Sequence, residues 1–441
     1  KNFINKISND LNKTEYKFLF QLFYGLLDSG SVLLSEISRS LKEDITLKKT
    51  IERLSRNLMK FDKIDEVHDQ YIDEISKQID DETVFCIDHT DIAKPNSTKL
   101  EDLGRVRDGS TGKIEDGYKI LEVAALTKEN KLPISVISEL FSPVEDSFVS
   151  ENRITLNALR YLSKKFGDKG TKTLDRGFDN KRFYDYFLDK NEKFIIRAKL
   201  NRNLINKGKS KNIVRTTKEY KGKYALTFKQ KNKKPKKVKI SYIPIKLPAF
   251  PQKELTLVAV YGLGKKPMML ITNITSDKKI ISKTVLKVYL LRWRIEDYFK
   301  FKKQRFDFEN IRVRKIKSIR NMNRILTLVI GFIGLLSQKQ DKTVYMQEIL
   351  KNANAIYSIE EVTFTYYRIV DGIRNTLEKI RTGIEHLLPN AKYVKSQQIS
   401  LFKRSYINCF MEMASWFWGN LNFLINEIIN NSWYNDINKV I

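Results

Sequence analysis

The segment Tyr289-Leu-Leu-Arg292-Trp293-Arg-Ile-Glu296-Asp-Tyr-Phe-Lys300-Phe-Lys-Lys303 sets a carboxylate among cations and aromatic rings. An α-helix advances about 100° per residue. With Tyr289 at zero, Arg292, Glu296 and Lys303 fall at about 300°, 340° and 320°, and Trp293 and Lys300 at about 40° and 20°. These six side chains share one stripe. Leu290, Leu291, Ile295, Tyr298 and Phe301 take the other side, where they can bury against a sheet. An ordinary solvated face with Arg292–Glu296 pairing at i,i+4 would account for the charges. It would not account for Tyr289 and Trp293, which such faces rarely carry. One unbroken helix is expected over 284–305.

Upstream of this helix the pattern is that of strands. Thr83–Ile87 is a short apolar run that delivers Asp88 at its C-terminal end. Thr171–Leu174 delivers Asp175 in the same way. An Asp at a strand end means little alone, because Asp also favours turns for its own hydrogen bonds. Between the two lie a Gly-rich loop (Gly104, Gly109, Gly112, Gly117) and a hairpin, Tyr118–Leu126 with Leu132–Leu140. A helix over 151–166 precedes Thr171. A helix at Lys181–Leu188 and a strand at Lys193–Ala198 follow Asp175. Three meandering strands and then βαβ units predict an α/β fold, a mixed sheet flanked by helices. His89 is expected on the face opposite Asp88, and Asp91 in a turn beyond the strand.

The flanks differ in kind. Residues 201–240 hold fifteen Lys or Arg against one acid, Glu219. Ala225–Phe228, Val238–Ile245, Leu255–Tyr261 and Met268–Thr272 read as short strands. The segment 201–275 is therefore expected to be a basic, all-β insertion rather than a charged surface excursion. Residues 1–80 read as helical, with Ser31 and Thr46 as caps of two short helices. These form either a helix-turn-helix, with Lys48, Lys49, Arg53 and Arg56 toward DNA, or a plain bundle. A helix over 317–338 and a helical tail with Trp416, Phe417 and Trp418 close the chain. Ile325–Leu336 is the longest apolar run, too short for a membrane span and expected as a buried helix. The domain reading is 1–80 (helical, DNA-binding), 81–200 (first part of the core), 201–275 (insertion), 276–340 (second part of the core) and 341–441 (C-terminal helices).

Composition narrows the function. The 441 residues carry a formal charge of +29, so the expected partner is a polyanion. Part of the Lys excess is also what AT-rich coding produces on solvated faces. Cys86 and Cys409 form no CxxC or Cys/His cluster with His68, His89 and His386, which argues against structural zinc. A disulfide framework is not expected either, and no secretory leader is evident. Together these fit a cell-interior, cytoplasmic and nucleoid-associated location.

The spacing Tyr289-x2-Arg292-x3-Glu296-x6-Lys303 resembles the Y-R-E-K signature of the insertion-sequence DDE transposases, the cut-and-paste group. Cys86-Ile-Asp88-His-Thr-Asp-Ile is similar to that family's first-aspartate motif. Leu174-Asp175-Arg176-Gly177-Phe178-Asp179, followed by Phe194-Ile-Ile-Arg197-Ala-Lys199, is similar to its second. The resemblance spans roughly residues 82–310. It implies a ribonuclease H-like fold interrupted by a β subdomain, with Asp88, Asp175 and Glu296 as the metal-binding catalytic triad. It implies that Tyr289, Arg292 and Lys303 grip phosphates, with Trp293, Lys300 and Arg176 as further DNA contacts. Where members of the family carry a Trp that stacks on a flipped base, this chain aligns Met268, which the resemblance makes a DNA contact able to wedge but stacking differently.

Such an enzyme would use two Mg²⁺ ions, with Mn²⁺ as a substitute. Oxygen-only ligands suit these hard cations. The partners implied are double-stranded DNA, at element ends and target, and a second copy of the chain in the synaptic complex. No membrane partner is expected. Two rival readings are a ribonuclease H-like nuclease without strand transfer and a catalytically silent DNA-binding descendant of a transposase. Hairpin and hydrolytic excision both stay open.

Overall fold

The computed structural model describes residues 2–384, except 110, 130, 221, 231–232, 276, 339–343 and 354–363. The expected aromatic cluster at Trp416–Trp418 lies outside the described residues. Five helices come first: α1 (Asn2–Lys6), α2 (Lys13–Ser29), α3 (Leu34–Leu41), α4 (Leu47–Lys60) and α5 (Ile64–Ser76). Then follow β1 (Val84–Ala93), β2 (Gly104–Arg107), β3 (Ile114–Leu126), β4 (Pro133–Phe141), α6 (Glu151–Phe166), β5 (Thr171–Leu174), α7 (Lys181–Lys190) and β6 (Phe194–Arg197). The basic segment contains β7 (Asn203–Asn206), β8 (Lys209–Asn212), α8 (Ile213–Glu219), β9 (Tyr224–Gln230), β10 (Lys233–Leu247), β11 (Phe250–Tyr261) and β12 (Met268–Thr272). Helices α9 (Lys278–Leu291), α10 (Arg294–Arg305), α11 (Ile316–Ser337), α12 (Val344–Lys351) and α13 (Tyr366–Ile384) follow among the described residues.

The chain divides into two units. One is Ile75–Lys300; the other joins the residues up to Glu74 with those from Phe301 onward. The first unit is built on a mixed sheet ordered β2-β3-β1-β5-β6-β12-β11-β10-β7-β8, with β4 on β3 and β9 on β10. Pairs β1–β5 and β5–β6 are parallel; the other pairs are antiparallel. The mixed α/β class read from the sequence is the fold observed. The Gly-rich loop is partly ordered as β2, which pairs with an earlier start of β3.

The basic segment departs from the expectation of an all-β insertion. It includes the helix α8, and its strands extend the same sheet, since β12 pairs with β6 from Leu270↔Arg197 to Thr272↔Ile195. Its apolar faces are also the floor under α9. Ile281, Val285, Leu286 and Tyr289 of α9 pack with Ile195, Val238, Ile240, Val258, Val260 and Leu270. Burying side chains of this size stabilises by about 1.5–3 kcal/mol each. The insertion thus helps to fix the helix that leads to Glu296.

The second unit is helical. Asn12 and Glu15 close a capping box at the start of α2. Phe3, Tyr71, Phe23 and Phe332 share a ring cluster. A Cβ on Gly331 would lie 1.9 Å from the Tyr71 hydroxyl, so α11 and the portion of α5 up to Glu74 meet where only glycine fits. Helix α11 is long and apolar enough to cross a membrane, which corrects the expectation of a run too short to do so. Yet 72% of its most apolar window is buried inside the protein, as expected of a core helix.

A helix starts directly after Thr46 as expected, but α3 starts at Leu34, so Ser31 is not its cap and its Oγ accepts from the Leu33 amide at 3.2 Å instead. Leu33 and Thr46 precede α3 and α4 without a side-chain cap bond. Arg53 is turned inward, paired with Glu43 and bonded to Gln21. Of the four proposed DNA-facing cations, Lys48, Lys49 and Arg56 are exposed.

Candidate active site

Strand register brings the two aspartates together. β1 pairs with β5 in parallel from Val84↔Thr171 to Ile87↔Leu174. Asp88 and Asp175 are the next residues on each chain, so they leave the pairing side by side on strands about 4.8 Å apart. Here β5 ends but β1 does not. It runs to Ala93 against β3, with Asp88 opposite Glu122. Asp88 is therefore inside a strand, and Asp91 is in that strand rather than in a turn. Alternation puts Cys86 and Asp88 on one face, and His89 and Asp91 on the other. His89 lies 3.2 Å from the Thr155 hydroxyl and 5.2 Å from the Phe178 ring, as its expected position requires.

The face bearing Asp88 is covered by the end of α9, whose Leu291 carbonyl lies 3.9 Å from the Cys86 sulfur. Burial pushes the Cys86 thiol up to about 12, which leaves it an inert core thiol at neutral pH.

The helix expected over 284–305 is broken at Arg292–Trp293. The amides of Arg292, Trp293, Ile295 and Glu296 each donate to the carbonyl three residues back. Three-residue turns advance about 120° rather than 100°, so the stripe drawn on one ideal helix loses phase here. Tyr289 and Arg292 are buried, Tyr289 within the α9 core. Trp293, Glu296 and Lys300 are exposed. Ile295 and Tyr298 are buried, as expected. Lys303 pairs with Glu309 at 2.9 Å.

Arg292 is the centre of the arrangement. Its Nη1 donates to Asp88 Oδ2 at 2.5 Å, and its Nη2 donates to Glu296 Oε1 at 3.4 Å. The guanidinium also lies 5.8 Å from the Tyr289 ring centre. The Tyr289 hydroxyl and Arg292 Nε are buried without a well-formed hydrogen bond, and burial raises the Tyr289 phenol. Asp88 Oδ1 accepts from the His89 amide at 2.9 Å. Asp175 Oδ1 accepts from the Gly177 amide at 2.7 Å, which holds the turn that carries the exposed Arg176.

The Asp88 carboxyl is pushed up to about 6. Burial is the largest cause, Arg292 opposes it, and the nearby charges of Asp175 and Glu296 push it further up. Three acids therefore act on one another around one guanidinium. They do not form a closed cage: among the described residues, no group of three or more acidic, His or Cys side chains is arranged to hold a metal ion. Arg292 lies between Asp88 and Glu296, and the Glu296 side chain is 62% exposed.

Met268 is a correction. It is 6% exposed, paired with Val260 in the sheet and packed in the α9 core, so it cannot wedge into DNA from there. Glu122 is the residue missed. It is fully buried and accepts from Ser138 Oγ at 2.8 Å and from the Tyr298 hydroxyl at 3.2 Å. Its signal was a lone acid inside the apolar run Tyr118–Leu126.

Residues 79–332 match the family described as "Transposase DDE domain". No curated protein matches the sequence. Among solved structures, a piggyBac transposase synaptic complex with hairpin DNA aligns with a TM-score of 0.45 at 12% identity, covering 92% of this chain and 84% of that one.

Proposed function

The chain belongs to the DDE transposase domain family, and from that premise we propose that Asp88, Asp175 and Glu296 are the acids with which it cuts and joins DNA. The observation that carries the reading is the register Ile87↔Leu174. It brings acids 87 residues apart in the chain to adjacent strand positions, beside an arginine that also reaches Glu296.

The donor set fits a hard divalent cation: three carboxylates with no thiol or imidazole among them. Burial is the main reason the Asp88 carboxyl is raised; the charges of Asp175 and Glu296 add to it, and nearby positive charge opposes them. Arg292 supplies part of that charge, so its guanidinium has to leave Asp88 before the acids can close around an ion. Mg²⁺ or Mn²⁺, two ions in this proposal, would activate the attacking oxygen and stabilise the leaving one.

The chain's own groups do the positioning. Once released, Arg292 is free to grip a phosphate beside Tyr289, whose hydroxyl is already buried without a well-formed bond. Trp293, Lys300 and Arg176 offer exposed contacts to the strand, and Lys303 a further cation. The basic strands β8–β10 would track the duplex by counterion release. Water attacks phosphorus in line and the bond to the 3′ oxygen breaks; the freed 3′-OH then attacks a target phosphodiester, whose own 3′ oxygen leaves and takes up the proton. Two copies of the chain would pair the ends.

The test is cleavage of duplexes carrying the element's own ends in Mg²⁺, with the cut strands mapped. Glu296→Gln is expected to slow cleavage about a thousandfold, on the order of 4 kcal/mol of barrier. End binding should stay within about twofold, since no uniform binding contact is lost. Cleavage by Glu296→Gln at the wild-type rate would end the assignment.

A further inference from the structure

Helix α10 carries Glu296, yet little near Glu296 holds it. Its first turn follows a tightened junction, and its Arg292–Glu296 contact is 3.4 Å long and open to solvent. A long contact with its carboxylate in water holds the helix only weakly. Two residues further on, the helix is anchored. The Tyr298 hydroxyl lies 2.7 Å from Ser135 Oγ on β4 and donates to Glu122 Oε2 on β3 at 3.2 Å. Ser138 donates to the other Glu122 oxygen at 2.8 Å. All four side chains are buried.

Glu122 is also the cross-strand partner of Asp88. Paired residues on antiparallel strands share a face. A row of acids therefore runs from Glu122 on β3 through Asp88 on β1 to Asp175, the residue just past β5. Two of them are offered for catalysis, and the third is turned to hydroxyl donors.

We propose that Glu122 is a positioning residue: through Tyr298 it fixes the rotation and height of α10, and so holds Glu296 within reach of Asp88 and Asp175. The proposal rests on the assignment of those three acids as the ion-binding set. A carboxylate this deeply buried is costly unless its hydrogen bonds are satisfied. An apolar side chain would pack the position without that cost. What the carboxylate adds is direction, because a hydrogen bond to Tyr298 admits one setting of the helix where apolar contact admits several.

The experiment titrates the metal-free full chain with Mn²⁺ alone, reading free Mn²⁺ by its paramagnetic resonance. It compares wild type, Glu296→Gln, Tyr298→Phe, Glu122→Gln and Tyr186→Phe. Tyr186 is the control, since its hydroxyl is bonded to the buried Glu192 and to the Leu159 carbonyl, away from α10. Tyr298→Phe and Glu122→Gln are expected to weaken Mn²⁺ binding about tenfold, the usual effect of losing a group that orients a ligand. Tyr186→Phe is expected to leave Mn²⁺ affinity within about twofold, because it orients no ligand. Amide exchange across 294–300 should quicken in Tyr298→Phe while that of β1 and β5 holds.

The two readings fail differently. If Glu296→Gln binds Mn²⁺ as wild type does, the acid assignment falls. If Glu296→Gln loses Mn²⁺ but Tyr298→Phe and Glu122→Gln keep it, or if Tyr186→Phe loses as much as they do, the positioning role falls alone. Should one of the two test variants not fold, the other decides by the same titration.

Discussion

The two faces of strand β5 treat charge in opposite ways. On one face Lys172 projects into the core and meets Glu192 at 2.9 Å, both side chains 1% exposed. Glu192 also accepts from Tyr186 at 2.9 Å, and Lys172 donates to the Lys169 carbonyl at 3.1 Å. Just past the strand, Asp179 is equally settled: Arg202, the Tyr184 hydroxyl and the Lys199 amide all bond to it. On the other face, Asp175 emerges beside Asp88, with Glu296 near and Arg292 as the cation bonded to Asp88 and Glu296. The first face spends its charges on structure. The second sets three acids around one guanidinium, and burial together with the neighbouring carboxylates keeps the Asp88 carboxyl raised.

If this contrast is right, removing an acid has opposite consequences on the two faces. Glu192→Gln leaves Lys172 charged and unpaired in the core. Breaking a buried pair from one side costs about 3–5 kcal/mol. Thermal unfolding should fall on the order of 10 °C for a unit of this size. A shift of a degree or less would mean that the pair is solvated and the contrast false.

Asp88→Asn is expected to stabilise the divalent-free protein. A carboxyl raised from 3.8 to about 6 in the folded state binds its proton more tightly there than when unfolded. Stability then declines as pH rises from about 4 through about 6, and the penalty is fully present above that window. Asparagine resembles the protonated form and escapes the penalty. Denaturant titrations should therefore find the variant more stable at pH 7.5, with the gain shrinking below pH 6 and gone at about pH 4. A variant less stable than wild type at pH 7.5 would show that Asp88 is paired as firmly as Glu192.

The sequence made some of this legible. Periodicity identified the strands up to Asp88 and Asp175, the hairpin, and the helices around them, because apolar spacing follows directly from which faces are buried. It did not reveal register. That Ile87 pairs with Leu174, and so that the two aspartates are neighbours, depends on the tertiary pairing of distant strands. Local pattern also missed the turn at Arg292–Trp293, since a helix that tightens for one turn keeps helical spacing on both sides. Met268 misleads for a different reason, because its DNA-facing reading comes from alignment with the family's Trp. A methionine at the start of an apolar run suits an exposed wedge or a core equally well, and only the pairing with Val260 decides. Glu122 stood in plain view as a charge in an apolar strand, yet nothing local says whether such a charge is a ligand, an anchor or an edge residue.

The smallest effect expected lies at the junction itself. Trp293 is 43% exposed on the turn between Arg292 and Glu296, where a large apolar ring gains little from folding. Trp293→Ala should therefore change stability by less than about 0.5 kcal/mol, as surface substitutions generally do. If the ring instead stacks on a base unpaired near the cut, its removal should weaken binding of single-stranded or pre-opened ends by about 1–3 kcal/mol. Fully paired duplex away from the cut offers no open base face, so its affinity should hold. Fluorescence anisotropy on matched duplex and pre-opened ends separates these outcomes. Equal loss on both would make Trp293 a general contact, and no loss on either would confine the DNA-facing role to the charged side chains around it. Unequal loss would place the exposed ring with Asp88, Asp175 and Glu296 on the face that meets DNA.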